Sequence, residues 1–554
     1  MRAIDLYSGV GGWGLGLTLA GIEIVESYER WEPAIITHSV NLGSAPRAVD
    51  IRTLKLTELP KDIDCVVGSP PCTQFSYANR GGNGDIDDGL KDIAKFLEVV
   101  EFLKPKFWAM ENVPRVAGIL SDQIFERKGK LKKFAHLFSD CSAEIRMFDM
   151  SHYGIPQRRN RCIVGNLPFH LLEAYANACP PLTVNDVLTD LHSLNPTDRL
   201  YGLTISPNEL FDNEFEAPLN DEEIRMNRDA KQFHPIYNLM SFPDKLDQPS
   251  RTIAATCTRV SRESIVIDDR QYSRSIRRLT IRERALLQGF PINFQFLGRS
   301  NSEKAKLVGN AVPPPFAYLV GSAMQGIPAD QLPSLKLKST TLLSTSACPI
   351  PTETDRPGGS YIETRRFRAT IPNLRFKSGV RFELANAPCA ANNTSWSVKF
   401  YYGTSKDIRT FDMNRDFQIR LEKFKFCRGI AKDTDSEWEV FSSRHLDISS
   451  SHLQKVWSRR SNGTGPYEIV DDLGKIAANL FENIKSTDRD AAYSIIERLV
   501  QRELDDVESP NSEPIGMMKL QTYATEIIVG LLIGCRFNSM MTNEEWTPQL
   551  SDTA

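Results

Sequence analysis

Residues Arg2–Leu17 read RAIDLYSGVGGWGLGL, and this stretch decides the fold class. RAIDLY is typical of a buried strand, and the glycine-rich SGVGGWGLGL predicts a tight turn that opens a helix. Glycines at such a junction let a ligand approach the backbone, and the helix N-terminus offers free N–H groups. Many ordinary tight turns share this pattern, so the rest of the chain has to support the interpretation.

Further strands are predicted at intervals along the N-terminal half. The segments are Ile22–Ser27, Ala48–Ile51, Cys65–Val67, Phe107–Met110 and Cys162–Val164, with amphipathic stretches between the earlier ones. Alternating strands and helices predict an α/β fold with a doubly wound, mostly parallel sheet of the Rossmann-like kind.

Acidic residues follow two of these strands. Glu29 comes just after the second strand, where nucleotide-binding folds contact ribose hydroxyls, and Asp50 lies at the third strand end, where it could reach an adenine amino group. Each could instead be a surface or turn residue. Because the carboxyl ends of parallel strands line one crevice, the glycine turn, Glu29 and Asp50 together favour a ligand site.

Composition limits the class of protein. The 554 residues are 41% hydrophobic and 25% charged with a net charge of −3, so several domains are expected and any nucleic-acid surface must be local. The ten cysteines form no CxxC pair, which argues against a metal site or disulfides and suits an intracellular, cytoplasmic protein. No signal peptide is expected before the Arg2 strand, and the apolar run Ile527–Cys535 is expected to be too short to span a membrane.

The stretch Gly68–Ser76, GSPPCTQFS, presents one thiol at a strand end. Most cysteines are inert core residues, but Pro70 and Pro71 fix the direction of Cys72 on the crevice side. A nucleophilic cysteine needs access and a lowered pKa.

Glu111 follows the next strand in the sequence WAMENV. Adjacent strands should place Cys72 and Glu111 at one edge, where a buried carboxyl could donate a proton. Its alternative role is to cap the sheet edge through the segment 112–114. Between them, Tyr77–Leu90 is glycine-rich and polar, which is typical of a mobile lid.

At this point residues 1–330 resemble the cytosine-C5 DNA methyltransferase family. The blocks that carry the resemblance occur in family order, and the combination is specific. They are DLYSGVGG (5–12), Glu29, Asp50-Ile51, GSPPCTQFS (68–76), ENV (111–113), QRRNR (157–161), RRLTIRERALLQGFP (277–291) and GNAVP (309–313).

The resemblance implies a set of catalytic roles. Cys72 would add to carbon 6 of cytosine, and Glu111 would hold N3 and the exocyclic amine and protonate N3. Arg159 would contact the carbonyl oxygen of the base, and Arg161 would steady the pocket or the Cys72 loop. The target base would have to be flipped out of the duplex.

The resemblance also implies S-adenosylmethionine as the cofactor. Its site would be formed by residues from five of these blocks and by Leu90, and no metal is expected. They are Tyr7, Gly9, Gly11, Glu29, Asp50, Ile51, Pro70, Leu90 and Asn310.

In the family, the segment between QxRxR and RxLTxRE reads the DNA sequence, which here is residues 166–275. Arginine runs are usually solvated faces, but the run at 274–284 adjoins this segment, so phosphate contacts are expected. The candidate DNA-binding residues are Gln74, Ser76, Arg251, Arg259, Arg277 and Arg278.

The predicted domains are a catalytic domain (1–165 and 276–330), a target-recognition region (166–275), a Ser/Thr/Pro-rich linker (331–360) and a C-terminal α+β domain (361–554). In the last, Phe367–Leu384, Trp396–Tyr402 and Phe417–Phe426 alternate like strands, and 469–484 has helical spacing. Six cations and no acids lie between 365 and 381, which indicates either a DNA surface or an exposed sheet face. An accessory DNA- or protein-binding domain is favoured over a fused endonuclease.

The sequence therefore predicts a DNA cytosine-5-methyltransferase that acts on double-stranded DNA in a restriction-modification or defence system. A cognate restriction endonuclease or another defence subunit is the expected partner, and no membrane is involved. Two alternatives remain: a tRNA cytosine-5 methyltransferase of the same fold, and a non-catalytic regulator that binds cofactor and DNA.

Overall fold

The chain forms two compact units, Met1–Gly358 and Gly359–Ala554. The structure is a computed structural model. It describes the chain except for residues 76–83, 127–128, 142, 177, 233–239, 343–351, 353–365, 377–379, 388–393, 405–406, 412, 446–447, 457–464, 484–488, 506–521 and 543–554. Ser76 and the first half of the predicted lid, residues 77–83, therefore lie outside the described residues.

The first unit is built on a seven-stranded sheet with the order β3-β2-β1-β4-β5-β7-β6. Its strands are β1 (Arg2–Leu6), β2 (Glu23–Glu29), β3 (Arg47–Ala48), β4 (Cys65–Gly68), β5 (Phe107–Asn112), β6 (Glu144–Asp149) and β7 (Asn160–Gly165). β1 to β5 run parallel, and β7 is antiparallel to both β5 and β6. The predicted mostly parallel, doubly wound sheet is confirmed.

The third strand is shorter than predicted. It ends at Ala48, and Ile51 opens a 3-10 helix, Ile51–Thr53. The cause is Asp50, whose carboxylate accepts a hydrogen bond from the backbone N–H of Arg52 at 3.0 Å and so caps the turn.

Helices cover both faces of this sheet. They are α1 (Gly12–Leu19), α2 (Glu32–Leu42), α3 (Ile86–Leu103), α4 (Arg115–Phe125), α5 (Phe169–Tyr175), α6 (Val184–Leu191), α7 (Asp221–Gln232), α8 (Ile281–Leu287), α9 (Asn301–Asn310) and α10 (Pro314–Met324). The apolar side chains of α1, α5 and α10 join one core, and those of α3 and α4 join a second core. β1 contributes alternate side chains to both, as expected of a central strand.

Residues 166–275 contain little regular structure besides helices α5 to α7. Two short antiparallel pairs are present, β8 (Thr197–Asp198) with β9 (Leu203–Thr204), and β10 (Val266–Asp269) with β11 (Ser275–Arg278). A backbone bridge between Gln157 and Ser250 ties this region to the QRRNR segment.

The arginines predicted to contact DNA are mostly buried here, which corrects the sequence interpretation. Arg277 and Arg278 are fully buried, and their guanidinium groups form ion pairs with Glu283 and Glu216. Arg259 pairs in the same way with Glu223.

Three further arginines of this region are also paired. Arg251 binds the carboxylate of Asp244 through two nitrogens, at 2.5 and 3.1 Å, although 23% of its side chain stays exposed. Arg282 and Arg284 of the same run are buried and donate to backbone carbonyls of Phe211, Phe294 and Ala254. These arginines hold the region together, because a buried cation is stable only when its donors are paired.

Glu283 lies at the centre of the largest such network. Its carboxylate accepts from Arg277 at 2.7 and 2.8 Å and lies 2.9 Å from Nε2 of His192. Burial alone would raise the pKa of Glu283, but the hydrogen bonds from Arg277 and His192 lower it to about 2. The ionised form is therefore the one that stabilises the fold.

We expect Glu283→Gln to lower the free energy of unfolding at pH 7 by about 3 kcal/mol, since it leaves Arg277 undercompensated. The contribution of Glu283 is present above its unfolded pKa, about 4.3, and is lost as pH falls through its folded value of about 2. Urea unfolding at several pH values should thus show a wild-type advantage that shrinks between those two values. The exposed Glu126→Gln is the control, and an equal effect from it would contradict the assignment.

The second unit pairs a four-stranded antiparallel sheet with helices. The strands, in spatial order, are β12 (Arg368–Arg375), β13 (Arg381–Ala387), β14 (Ser395–Thr404) and β15 (Asp407–Phe411). The helices are α11 (Arg415–Glu422), α12 (Lys425–Asp433), α13 (Asp435–Arg444), α14 (Ser450–Lys455), α15 (Pro466–Asn483), α16 (Arg489–Asp505) and α17 (Ala524–Met541). The predicted α+β class is confirmed.

One predicted strand in this unit is wrong. Phe417–Phe426 alternates in sequence but forms α11 and the start of α12. Phe417 and Leu421, four residues apart, are buried, whereas Ile419 is 45% exposed. The burial therefore follows the period of a helix and not that of a strand. The side chain of Asn414 caps α11 by accepting from the Phe417 N–H at 2.9 Å.

Helix α17 contains the apolar run that was expected to be too short for a membrane. It has 18 residues and, among the described residues, is the one helix long and apolar enough to cross a membrane by length and composition. It packs in the core of its own unit with 78% of its window buried, and soluble core helices pass the same test.

The boundary between the units falls inside the predicted linker, 331–360. The first part of that segment is not extended. A 3-10 helix, Leu335–Thr341, belongs to the first unit, and Tyr318 donates a hydrogen bond to the carbonyl of Pro333 at 2.6 Å.

Candidate active site

The glycine turn after β1 has the backbone geometry that its sequence predicts. Tyr7, Gly9 and Gly11 all have positive φ, at 56°, 55° and 92°. A Cβ at Gly9 would meet nothing within 4 Å, whereas one at Gly11 would meet His38 Nδ1 at 3.0 Å. The turn is therefore open on the Gly9 side, where a ligand can reach the backbone.

The GNAVP segment lies against this turn although it is about 300 residues away in the chain. A Cβ on Gly12 would stand 2.1 Å from the carbonyl oxygen of Val312, so only glycine permits the contact. Asn310, the last residue of α9, is exposed beside it. This packing brings the predicted cofactor residues from both ends of the unit to one place.

Glu29 ties the end of β2 to the glycine turn. One carboxylate oxygen accepts from the Gly9 N–H at 2.9 Å, and the other accepts from the N–H groups of Arg30 and Trp31 at 2.7 and 2.8 Å. The carboxylate is held rigidly at the crevice, and Oε2, which accepts only from Gly9, keeps a lone pair for a further donor.

The remaining predicted cofactor residues surround the same crevice. Asp50 pairs with the exposed Arg30 at 3.0 Å, and Ile51 is buried. The hydroxyl of Tyr7 contacts Asp92 of α3 at 3.2 Å, and Leu90 is buried on the same helix.

An ion-pair network that the sequence did not predict supports this wall. Arg52 donates to Asp88 at 2.9 Å and to Asp92 at 2.6 Å, which fixes the 3-10 helix after β3 to α3. The IDDGLKD pattern holds both acids, but nothing in it names Arg52 as their partner. These residues position Tyr7 and Asp50 without lying at the turn themselves.

The segment after β4 is fixed from three sides. Asn112 donates a side-chain hydrogen bond to the carbonyl of Pro70 at 3.0 Å, and Ser69 Oγ accepts from the Trp13 ring at 3.1 Å. Phe75 is fully buried, and its N–H closes a turn onto the Cys72 carbonyl at 2.9 Å. The half-buried thiol of Cys72 is therefore held in position, as the two prolines predict.

Asn112 is a positioning residue of the candidate site that the sequence interpretation underused. It stands in the ENV block, where only Glu111 was assigned a role. Its side chain links the strand that carries the carboxyl to the loop that carries the thiol.

Glu111 and Arg161 meet because β7 is antiparallel to β5. The register pairs Glu111 with Ile163 and Asn112 with Cys162, so β7 begins where β5 ends. Nε of Arg161 lies 2.8 Å from Oε1 of Glu111, and both side chains are nearly buried. That oxygen has no well-aligned hydrogen bond among the described residues, which leaves it able to accept or donate one to a ligand.

The thiol of Cys72 lies within electrostatic reach of these two groups. Burial raises the pKa of Cys72, and the nearby Glu111 carboxylate raises it further, while Arg161 and Arg159 oppose this by lowering it. The electrostatic contacts place four predicted catalytic residues together. Burial and the Glu111 carboxylate both favour the protonated thiol, and neutralising Glu111 would remove the second of these causes.

Arg159 is placed differently from its predicted role. Its Nη atoms donate to the backbone carbonyls of Ile253, Gly309 and Ala311 at 3.0 to 3.4 Å. Of the three guanidinium nitrogens of Arg159, only Nε is buried without a hydrogen-bond partner among the described residues. Desolvation lowers the pKa of Arg159 to about 9. The side chain therefore fastens GNAVP to the base of β7, and any contact with a substrate would use Nε.

Two buried titratable side chains lie beneath the glycine turn and escaped the sequence interpretation. Burial raises the pKa of Asp5 well above its usual range, and burial lowers the pKa of His38 to about 4. Both are near Gly14, whose absent Cβ would lie 3.8 and 3.9 Å from them. Neither residue carries a signal of its own in the sequence.

Of the candidate DNA contacts beside the thiol, only Gln74 is described. Its side-chain oxygen accepts from the Asp85 N–H at 2.9 Å, one residue before α3 begins at Ile86. The predicted lid therefore ends as a capped helix from Asp85 onward, because Asp85 accepts from the Asp88 N–H.

The fold and site together define a class of enzyme. It is a doubly wound α/β protein with a glycine-rich ligand turn and a thiol, a carboxyl and a guanidinium in the neighbouring pocket. A family model described as C-5 cytosine-specific DNA methylase matches residues 1–326. The chain belongs to this family of methyltransferases.

Individual relatives align with the same part of the chain. The type II methyltransferase M.NgoPII of Neisseria gonorrhoeae is 27% identical over 353 residues, which cover 59% of this chain and 95% of that protein. M.HindV of Haemophilus influenzae is 29% identical over 340 residues, covering 58% and 96%. Both alignments leave about two fifths of this chain unmatched.

Among solved structures, a putative DNA modification methyltransferase encoded within an E. coli prophage aligns with a TM-score of 0.41 and 22% identity. It covers 59% of this chain and 99% of its own. The Dnmt2 methyltransferase of S. pombe aligns with a TM-score of 0.42 and 17% identity, covering 59% and 98%.

Proposed function

We propose that this protein transfers a methyl group from S-adenosylmethionine to carbon 5 of a flipped cytosine in double-stranded DNA. One observation carries the proposal: the Glu111–Arg161 ion pair lies within electrostatic reach of Cys72, at the edge where β1 presents the glycine turn. β1 and β4 are neighbouring strands, so the ligand turn and the thiol loop are adjacent.

The residues around the turn fit this cofactor. The open backbone at Gly9 suits the methionine moiety, the fixed carboxylate of Glu29 suits ribose hydroxyls, and Asp50 with Ile51 suits adenine. Pro70, Leu90 and Asn310 complete the surrounding wall. When bound, the cofactor supplies an electrophilic methyl group.

The chain's own residues prepare the base to accept that methyl group. The sulfur of Cys72 bonds to carbon 6, which makes carbon 5 nucleophilic. After methylation, carbon 5 loses its proton to a proton acceptor. The carbon–sulfur bond then breaks, and the aromatic cytosine ring is restored.

Glu111 links protonation of the base to activation of the thiol. A proton shared between its carboxyl and N3 of cytosine removes negative charge from the pocket. Because the Glu111 carboxylate raises the pKa of Cys72, its neutralisation lowers that pKa just when substrate is present. Arg161 then stabilises the thiolate and orients the carboxyl.

The relatives named above are type II methyltransferases, which supports duplex DNA as the substrate and a restriction-modification system as the setting. A cognate endonuclease is the partner that this setting implies. A tRNA methyltransferase or a non-catalytic regulator would keep the fold, but the intact Cys72–Glu111 pair argues against the regulator.

Labelled methyl transfer tests the proposal. We expect incorporation into duplex DNA and none above background into tRNA, and bisulfite sequencing of DNA from expressing cells should show methylcytosine in one sequence context. Incorporation only into tRNA, or none into either nucleic acid, would refute it.

A further inference from the structure

The sheet of the second unit has a strongly basic outer face. Residues 366–401 contain six Lys or Arg and one acid, Glu383, in a chain whose 67 basic and 70 acidic residues nearly balance. Side chains of a strand alternate between faces. The inner face is apolar, with Phe382, Leu384, Val398 and Phe400 buried in the core with α15 and α17. Four of the cations, Arg368, Arg375, Arg381 and Lys399, thus lie on the other face.

The strand register brings the cations together. Arg381 is opposite Tyr401, Lys399 is opposite Glu383, and Arg375 is opposite Arg381. Directly opposite residues in antiparallel strands point to the same side, and two like charges in that position destabilise a sheet. The Arg375–Arg381 pair is therefore not explained by the stability of the fold.

Glu383 holds two of these guanidinium groups in fixed positions. Arg381 Nε donates to one carboxylate oxygen at 2.6 Å, and Arg368 Nε donates to the other. The guanidinium carbons of Arg368 and Arg381 also lie 4.5 and 4.9 Å from the ring centre of Tyr401. One buried carboxylate orders both arginines but neutralises only one positive charge.

We infer that this face, formed by Arg368, Arg375, Arg381, Lys399 and Tyr401 and called the basic face, binds the phosphate backbone of double-stranded DNA. Ordered guanidinium groups lose little entropy on meeting phosphate, and 49% of the Arg368 side chain is exposed. A polyanion would relieve the repulsion between Arg375 and Arg381. The choice of duplex DNA rests on the proposed function, and the face would raise affinity without reading sequence.

The test measures binding of the full chain to a labelled 30-base-pair duplex as a function of NaCl concentration. The variant Arg368→Gln/Arg381→Gln/Lys399→Gln removes three cations from the basic face. Each lost phosphate contact should reduce the slope of log affinity against log salt by about 0.9. We expect a slope reduced by about 2 to 3 and affinity about 10- to 100-fold lower near 0.1 M salt.

A matched control removes the same charge elsewhere in the unit. Lys423, Lys425 and Lys432 are exposed on α11 and α12, so Lys423→Gln/Lys425→Gln/Lys432→Gln should leave the slope unchanged. Lys399→Gln alone leaves Arg368, Arg381, Glu383 and Tyr401 unchanged and should still reduce the slope by about 1, which guards against misfolding of the triple variant.

The outcomes separate this inference from the proposed function. Equal slopes for wild type, the basic-face variants and the control would overturn the inference even if wild type methylates DNA. A tRNA competitor that displaces the duplex through the basic face at far lower concentration than unlabelled duplex would overturn the choice of DNA. Absence of methyl transfer by the wild-type protein would instead overturn the proposed function, and the effect of the basic-face variants on DNA binding would still support the inference.

Discussion

Cys72→Ser should abolish methyl transfer to duplex DNA, with a rate at least about 10³-fold below wild type. A serine hydroxyl has nearly the same size, but its pKa is far too high to give an anion in this pocket, and covalent catalysis depends on that anion. The loop should keep its shape, because Asn112 and Phe75 hold it through backbone and core contacts that do not involve the sulfur.

A duplex containing 5-fluorocytosine reports the covalent step directly, because the fluorine cannot leave as a proton does. Wild type should form a protein–DNA adduct that survives denaturing gel electrophoresis, and Cys72→Ser should form none. Cys179→Ser changes another half-buried thiol, and it should form the adduct normally. An adduct with Cys72→Ser would assign the nucleophile to another residue.

The sheet and its ligand edge could be predicted because their signals are local. A glycine turn after a strand, acids after successive strands and a diproline before a cysteine each fix a short piece of backbone. The parallel order then requires these pieces to meet, since carboxyl ends of parallel strands share one edge. Cys72 and Glu111 lie together for this reason, although they are separated by a whole helix in sequence.

The basic side chains could not be assigned from sequence, because their partners are distant. Arg278 is paired with Glu216, and Arg259 with Glu223, and neither acid has a pattern that names its partner. A local run of arginines looks the same whether it faces phosphate or buried carboxylates. The packing of the recognition region determines which of the two partners an arginine meets, and it buries Arg277 and Arg278 completely.

The strand predicted from a short apolar pattern was wrong for a related reason. Phe417–Phe426 satisfies the period of a strand over a few residues, but α11 uses the spacing of Phe417 and Leu421 and leaves Ile419 outside. The contact between Gly12 and Val312 was equally hidden, because a glycine required by a distant backbone looks like any other glycine in a turn. Tertiary contacts, not local propensity, decided both cases.

Glu111→Gln should slow methyl transfer by about 10²- to 10⁴-fold while leaving DNA binding near wild type, because the amide cannot donate a proton to N3. The same change should speed alkylation of Cys72 by iodoacetamide near pH 7. The carboxylate raises the pKa of Cys72, so its removal lowers that pKa and increases the thiolate fraction. The pH dependence of alkylation separates the two causes, because a lower pKa shifts the profile whereas greater exposure of the thiol raises the rate at every pH.

Arg161→Gln should have the opposite effect on the rate at which iodoacetamide alkylates Cys72. Its guanidinium lowers the pKa of Cys72, so its loss should slow alkylation as well as methyl transfer. Glu101→Gln, on the exposed surface of α3, should change neither rate. Faster methyl transfer in Glu111→Gln, or alkylation rates that are the same in all three variants, would show that the carboxyl does not couple base protonation to the thiol. If the predicted pattern is found, the Glu111 carboxyl both protonates the cytosine and disfavours the Cys72 thiolate until a cytosine binds.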